Sequence, residues 1–212
     1  MKQRAARLSR DELIDLFEAR RDAICTRLNE FKQVPPSEYF YELVYCLLTP
    51  QSSAVNAGKA VTLLRSHDLR NALIDPERLL HQKEFYIRFH KTKARHLVAV
   101  KAQYPLILQH VTNGSSSEDL REWLVNNVKG LGWKEASHFL RNIGHTNVAI
   151  LDRHILRNLV RAGVLRRIPK TLTARRYLAI ERNFFKFAGR VGISMDELDL
   201  LFWSMETGEI LK

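Results

Sequence analysis

Apolar residues recur at three- and four-residue steps along nearly the whole chain, which is the period of an amphipathic helix. Leu13, Leu16, Phe17, Ile24 and Leu28 make one such stripe, and Ser9-Arg-Asp-Glu12 ahead of it is a capping-box pattern that marks a helix start. VPP at 34–36 breaks that first helix, and Ser37 is placed to cap the next, EYFYELVYCLLT, which must stop before Pro50. A third helix is expected from Ser52 or Ser53 through AVNAGKAVTLLRSH. DPERLLHQ, TKARHLVAVKAQY and, beyond the turn-rich TNGSSS, EDLREWLVNNV continue the same period. So do KEASHFLRNIG, DRHILRNLVRAG, ARRYLAIERNFFKFAGRVG and MDELDLLFWSMET, the last opened by a second capping box, Ser194 to Glu197. Gly144, Gly163, Gly192 and Gly208 fall where helix C-caps need a left-handed residue. No segment alternates as a strand would, and no repeat is visible, so the pattern predicts an all-α fold of eight to eleven helices.

Charge narrows the choice of partner. Lys and Arg number 34 against 23 Asp and Glu, a formal +11 spread along the 212 residues rather than gathered in a tail. Such a surface suits a polyanion, although a well-solvated basic surface explains the count equally well. Cys25 and Cys46 have neither CxxC nor Cys/His ligand spacing and read as reduced thiols in the core of an intracellular protein. There is no run of 18 apolar residues, and MKQRAARLSRDEL lacks the apolar stretch of a secretion signal, so no membrane association or export is expected.

The candidate chemistry lies in VKGLGWKEASHFLRNIGHTNVAILDRHIL, Val128 to Leu156. Gly130 and Gly132 flank Leu131 between two expected helices, so the backbone can turn tightly and offer N–H groups to a phosphate at the positive end of the second helix. A plain turn between helices fits the same residues. Lys134 falls in the first turn of that helix, where the helix dipole disfavours a cation and enriches the neutral, nucleophilic amine. Asp152 opens DRHILRNL, where it can serve as a simple N-cap or as a carboxylate beside the chemistry. His138 and His154 have no metal-ligand partner at helical spacing and are read as structural, and Arg153 is read as meeting a phosphate or an acidic neighbour.

These blocks resemble the helix-hairpin-helix DNA glycosylase superfamily, in which a G-x-G-x-K hairpin precedes a V-D-x-H segment. Gly130-Leu131-Gly132-Trp133-Lys134 and Leu151-Asp152-Arg153-His154 follow that pattern, with Val128-Lys129 in place of a leucine-proline pair. LLTPQSSAVNAGKAVTLL, Leu47 to Leu64, is similar to the superfamily's N-terminal helix pair, and Gln51 then matches a glutamine near the DNA. GLGWKEASHFLRN, with Trp203 ahead of a final Lys212, looks most like the short prokaryotic 8-oxoguanine DNA glycosylase/AP lyase family. Endonuclease III-like members carry four cluster cysteines that this chain lacks, mismatch adenine glycosylases lack the lysine, and the larger eukaryotic enzymes add a β-domain for which there is no room.

The resemblance implies a single helical glycosylase unit over 1–212 with two helical subdomains flanking an active-site cleft and the hairpin motif at about 118–144. It implies that Lys134 attacks C1′ of a flipped nucleotide and Asp152 stabilises the charge that develops, without metal or organic cofactor. Gln51, Gly130, Gly132 and Arg153 become DNA contacts, while Trp203, Lys212 and Phe85 become candidates for recognising the base. The pattern of LDLLFW also fits a core position for Trp203, and a core position suits Phe85 in FYIRFHKTKA better than stacking does. Double-stranded DNA with an oxidised base is the expected partner of a monomer working in the cytoplasm, at the nucleoid, of a prokaryote. Excision of oxidised pyrimidines and a non-catalytic DNA-binding module are the alternatives.

Overall fold

The computed structural model describes residues 7–210, so the expectation for Lys212 lies outside the described residues. Among these residues eleven helices form and no strand does. The chain divides into two compact units, one of residues 33–143 and one of residues 1–32 with 144–212.

The 33–143 unit holds α3 (Tyr39–Leu48), α4 (Ala54–Ser66), α5 (Pro76–Leu80), α6 (His90–Val111), α7 (Ser117–Asn127) and α8 (Trp133–Asn142). Every residue of α3 from Phe40 to Leu48 is buried, as expected of a helix that is apolar on all sides, and α4, α6 and α8 pack around it. One buried hydrogen bond inside this core joins the Asn142 amide to Glu42 (3.0 Å). α7 and α8 form the helical hairpin, tied by the buried Arg121, which donates to Ser137 (3.2 Å) and lies over the Trp133 ring.

The other unit holds α1 (Arg10–Glu18), α2 (Arg21–Lys32), α9 (Arg153–Arg161), α10 (Ala174–Val191) and α11 (Met195–Thr207). Here α11 is the central helix, buried from Leu198 to Phe202 and packed against α1, α2, α9 and α10. Both capping boxes form as the sequence predicts, at Ser9 and at Ser194.

Two expectations change. The first stripe is divided between α1 and α2 at Ala19–Arg20, because the seven-residue gap from Phe17 to Ile24 does not require one continuous rod. Ser37 is not a cap: α3 starts after Glu38, whose backbone is already helical and which makes no side-chain cap bond.

Candidate active site

The hairpin turn between α7 and α8 is built on one obligatory glycine. Gly130 has φ +99°, and a Cβ there would lie 2.4 Å from His96 Nδ1. Leu131 is buried and holds the turn against the two helices, as its place between the glycines suggests. Gly132 differs: its φ of −93° suits any residue, and it is the extended N-cap of α8. Its N–H donates to Oε2 of Glu135 (3.2 Å), so the amide expected to face a phosphate is satisfied by the helix's own carboxylate. Glu135 Oε1 also lies 3.2 Å from Lys134 Nζ. One carboxylate thus joins the turn to the amine, and nothing in the G-x-G spacing announced it.

Lys134 is partly exposed, its side chain 28% accessible, at the second position of α8. It is therefore anchored by a stiff hairpin and an ion pair yet open to solvent, a combination suited to an amine that must reach a substrate. Gln51 is in the same unit, on the turn between α3 and α4. It is exposed and holds a left-handed backbone, φ +55°, which costs a residue with a Cβ on the order of 1 kcal/mol and marks a turn held by its surroundings.

In the other unit Asp152 caps α9, its Oδ1 accepting from the Ile155 N–H at 2.8 Å. The segment before it, Val148–Leu151, is buried and lies in neither a helix nor a strand, so its amides must be satisfied otherwise. Side chains of α10 and α11 do this: Glu181 accepts from Ala149 N–H (2.7 Å) and Asp199 from Ile150 N–H (3.2 Å). The Tyr177 hydroxyl accepts from Leu151 N–H (3.2 Å) and donates to the Ala149 carbonyl (2.5 Å). These buried polar residues fix the approach to Asp152, and they went unread because the amides they satisfy lie 26 to 49 residues away in the chain.

The base-recognition candidates separate. Trp203 is half-buried, whereas Leu198, Leu200, Leu201 and Phe202 around it are wholly buried, so its ring is not simply core. Phe85 is only 7% exposed and packs within its unit, while the neighbouring Tyr86 and Phe89 are the exposed rings. Arg153 is exposed. His154 lies 3.5 Å from Glu206 and His138 packs edge-on against Tyr45, in keeping with structural roles.

The 8-oxoguanine DNA glycosylase family model matches residues 24–193, a span that takes in the hairpin, Lys134 and Asp152. This chain belongs to that family. Among its relatives, the 8-oxoguanine DNA glycosylase/AP lyase of Fusobacterium nucleatum is 42% identical, over 88% of this chain and 89% of its own. That of Korarchaeum cryptofilum is 41% identical, over 91% of each. The fold is that of a solved member, the Methanocaldococcus jannaschii 8-oxoguanine glycosylase/lyase in complex with a 15-mer DNA containing 8-oxoguanine. The match to it has TM-score 0.82 and 35% identity, covering 94% of this chain and 99% of that one.

Proposed function

We propose that this glycosylase-family chain removes 8-oxoguanine from duplex DNA and cleaves the resulting abasic site through a lysine Schiff base. The observation that carries the reading is Lys134, an amine fixed directly behind the hairpin turn of a chain whose relatives are 8-oxoguanine DNA glycosylase/AP lyases. The basic surface favours the phosphate backbone, and Gly130, Gln51 and Arg153 are the proposed contacts to it or to bases near the lesion, joined by Gly132 where its amide exchanges Glu135 for a phosphate. Unstacking the damaged nucleotide costs a few kcal/mol, which those contacts must offset.

Attack needs the lone pair of Nζ. Glu135 Oε1, within hydrogen-bond reach at 3.2 Å, is the proposed acceptor of the ammonium proton. The amine then bonds to C1′ as the glycosidic pair leaves with the base. Ring opening gives the Schiff base, loss of a C2′ proton follows, and the 3′ C–O bond breaks in β-elimination. Asp152 is proposed to stabilise the positive charge developing at the sugar, and Trp203 and Lys212 to recognise the base, while the buried Phe85 belongs to the core. The enzyme is proposed to act as a monomer on DNA inside a prokaryotic cell, at the nucleoid; no helix among the described residues is long and apolar enough to cross a membrane.

Borohydride trapping on duplexes with one 8-oxoguanine or one oxidised pyrimidine tests this, with Lys134→Gln alongside. The expected result is an adduct on 8-oxoguanine that vanishes in the variant. An adduct on the pyrimidine alone overturns the substrate, and binding without any adduct leaves a DNA-binding module.

A further inference from the structure

Lys93 stands on the apolar stripe of α6 with Leu97, Val100, Tyr104 and Ile107, and it is 5% exposed. A buried lysine must be paired or hydrogen-bonded. Its Nζ donates to the Leu48 carbonyl (2.6 Å) and the Pro50 carbonyl (2.7 Å) and lies 3.1 Å from Ser52 Oγ. An ammonium has three N–H donors, and three acceptors surround it. Those acceptors bracket Gln51, the exposed residue with the left-handed backbone. Ser52 Oγ also accepts from the Arg88 N–H (3.0 Å), which ties the same turn to the segment ahead of α6.

We propose that Lys93 is a positioning residue of the repair reaction, its ammonium holding the 49–52 turn in the one shape that presents Gln51 to DNA. The inference rests on the proposed glycosylase function and on Gln51 as a DNA contact. Three charge-assisted bonds offset the strain of the Gln51 backbone, and releasing them lets that turn relax to an ordinary φ. The charged groups that Lys93 senses are Lys134 and Glu135 on α8, and burial, followed by Lys134, pulls its pKa from 10.5 down to about 8. The full set of charge-assisted bonds therefore exists below about pH 8 and weakens above it.

The test is a double-mutant cycle read by single-turnover excision of 8-oxoguanine: wild type, Lys93→Met, Gln51→Ala and the pair. Lys93→Met is expected to slow excision by about 10- to 100-fold, and the pair to be within about twofold of Gln51→Ala alone, since coupled residues are not additive. The ratio of wild-type to Lys93→Met rates is expected to fall as pH rises from 7 to 9, which loss of a merely structural residue would not produce. If Lys93→Met does not fold, Lys93→Gln, which keeps two N–H donors, takes its place in the cycle. An active wild type with an unimpaired variant, a fully multiplicative pair or a pH-independent ratio overturns the inference alone. A wild type that excises no 8-oxoguanine overturns the glycosylase reading and this inference with it.

Discussion

Replacing Gly130 with alanine separates the backbone requirement of the hairpin from its packing. At φ +99° a side chain costs about 1–2 kcal/mol of backbone energy. The new Cβ would also fall 2.4 Å from His96 Nδ1 and 2.9 Å from its Cγ, so the imidazole must shift, and overpacking of this kind costs about 1–3 kcal/mol. Together these come to about 3 kcal/mol, which for a protein of this size lowers Tm by roughly 6–12 °C. Adding His96→Ala removes the overlap, so Gly130→Ala/His96→Ala, compared with His96→Ala alone, is expected to recover about half of the loss and keep the backbone part. Gly132→Ala is the contrast: its φ of −93° is ordinary and its Cβ would meet only the flexible end of Glu135, at 2.9 Å. Thermal melts of the variants measure this directly. A Gly130→Ala protein melting with the wild type, or no recovery on removing the imidazole, would refute the reasoning.

The remaining expectations concern the anchors of the site. Asp152→Ala removes an N-cap and is expected to cost about 1 kcal/mol in urea unfolding, whereas Asp152→Asn keeps the cap. Both are expected to lose excision, so equal activity of Asp152→Asn and wild type would leave Asp152 a cap and nothing more. Tyr177→Phe strips a partner from Leu151 N–H and from the Ala149 carbonyl, with an expected cost on the order of 2–4 kcal/mol by the same unfolding assay. Lys93 gives a pH dependence. The unfolded chain still holds the proton that the folded one releases near pH 8, so between about 8 and 10.5 wild-type stability rises with pH relative to Lys93→Met. Paired melts across that window check it, and a flat difference would place the titration elsewhere.

What the sequence determined by itself is what local physics decides. Helical period, capping residues and C-cap glycines specify their own surroundings within a few residues, so both capping boxes and the helices after Ser53, Ser116 and Ser194 are where the pattern places them. The hairpin and the positions of Lys134 and Asp152 were legible for the same reason: each is defined by its place at a helix start. Tertiary structure decided the contacts. Lys93 looked like one basic residue among 34, and only its place in an apolar stripe hinted that it was buried. Glu135 passed for an ordinary acidic residue in a first turn until the fold placed its two oxygens between Gly132 and Lys134. Glu181, Asp199 and Tyr177 satisfy a buried segment some 26 to 49 residues away in the chain. A helix start depends on residues that are neighbours by covalent connection, whereas a buried polar group depends on whichever partner packing delivers to it, and that is settled only when the chain has folded.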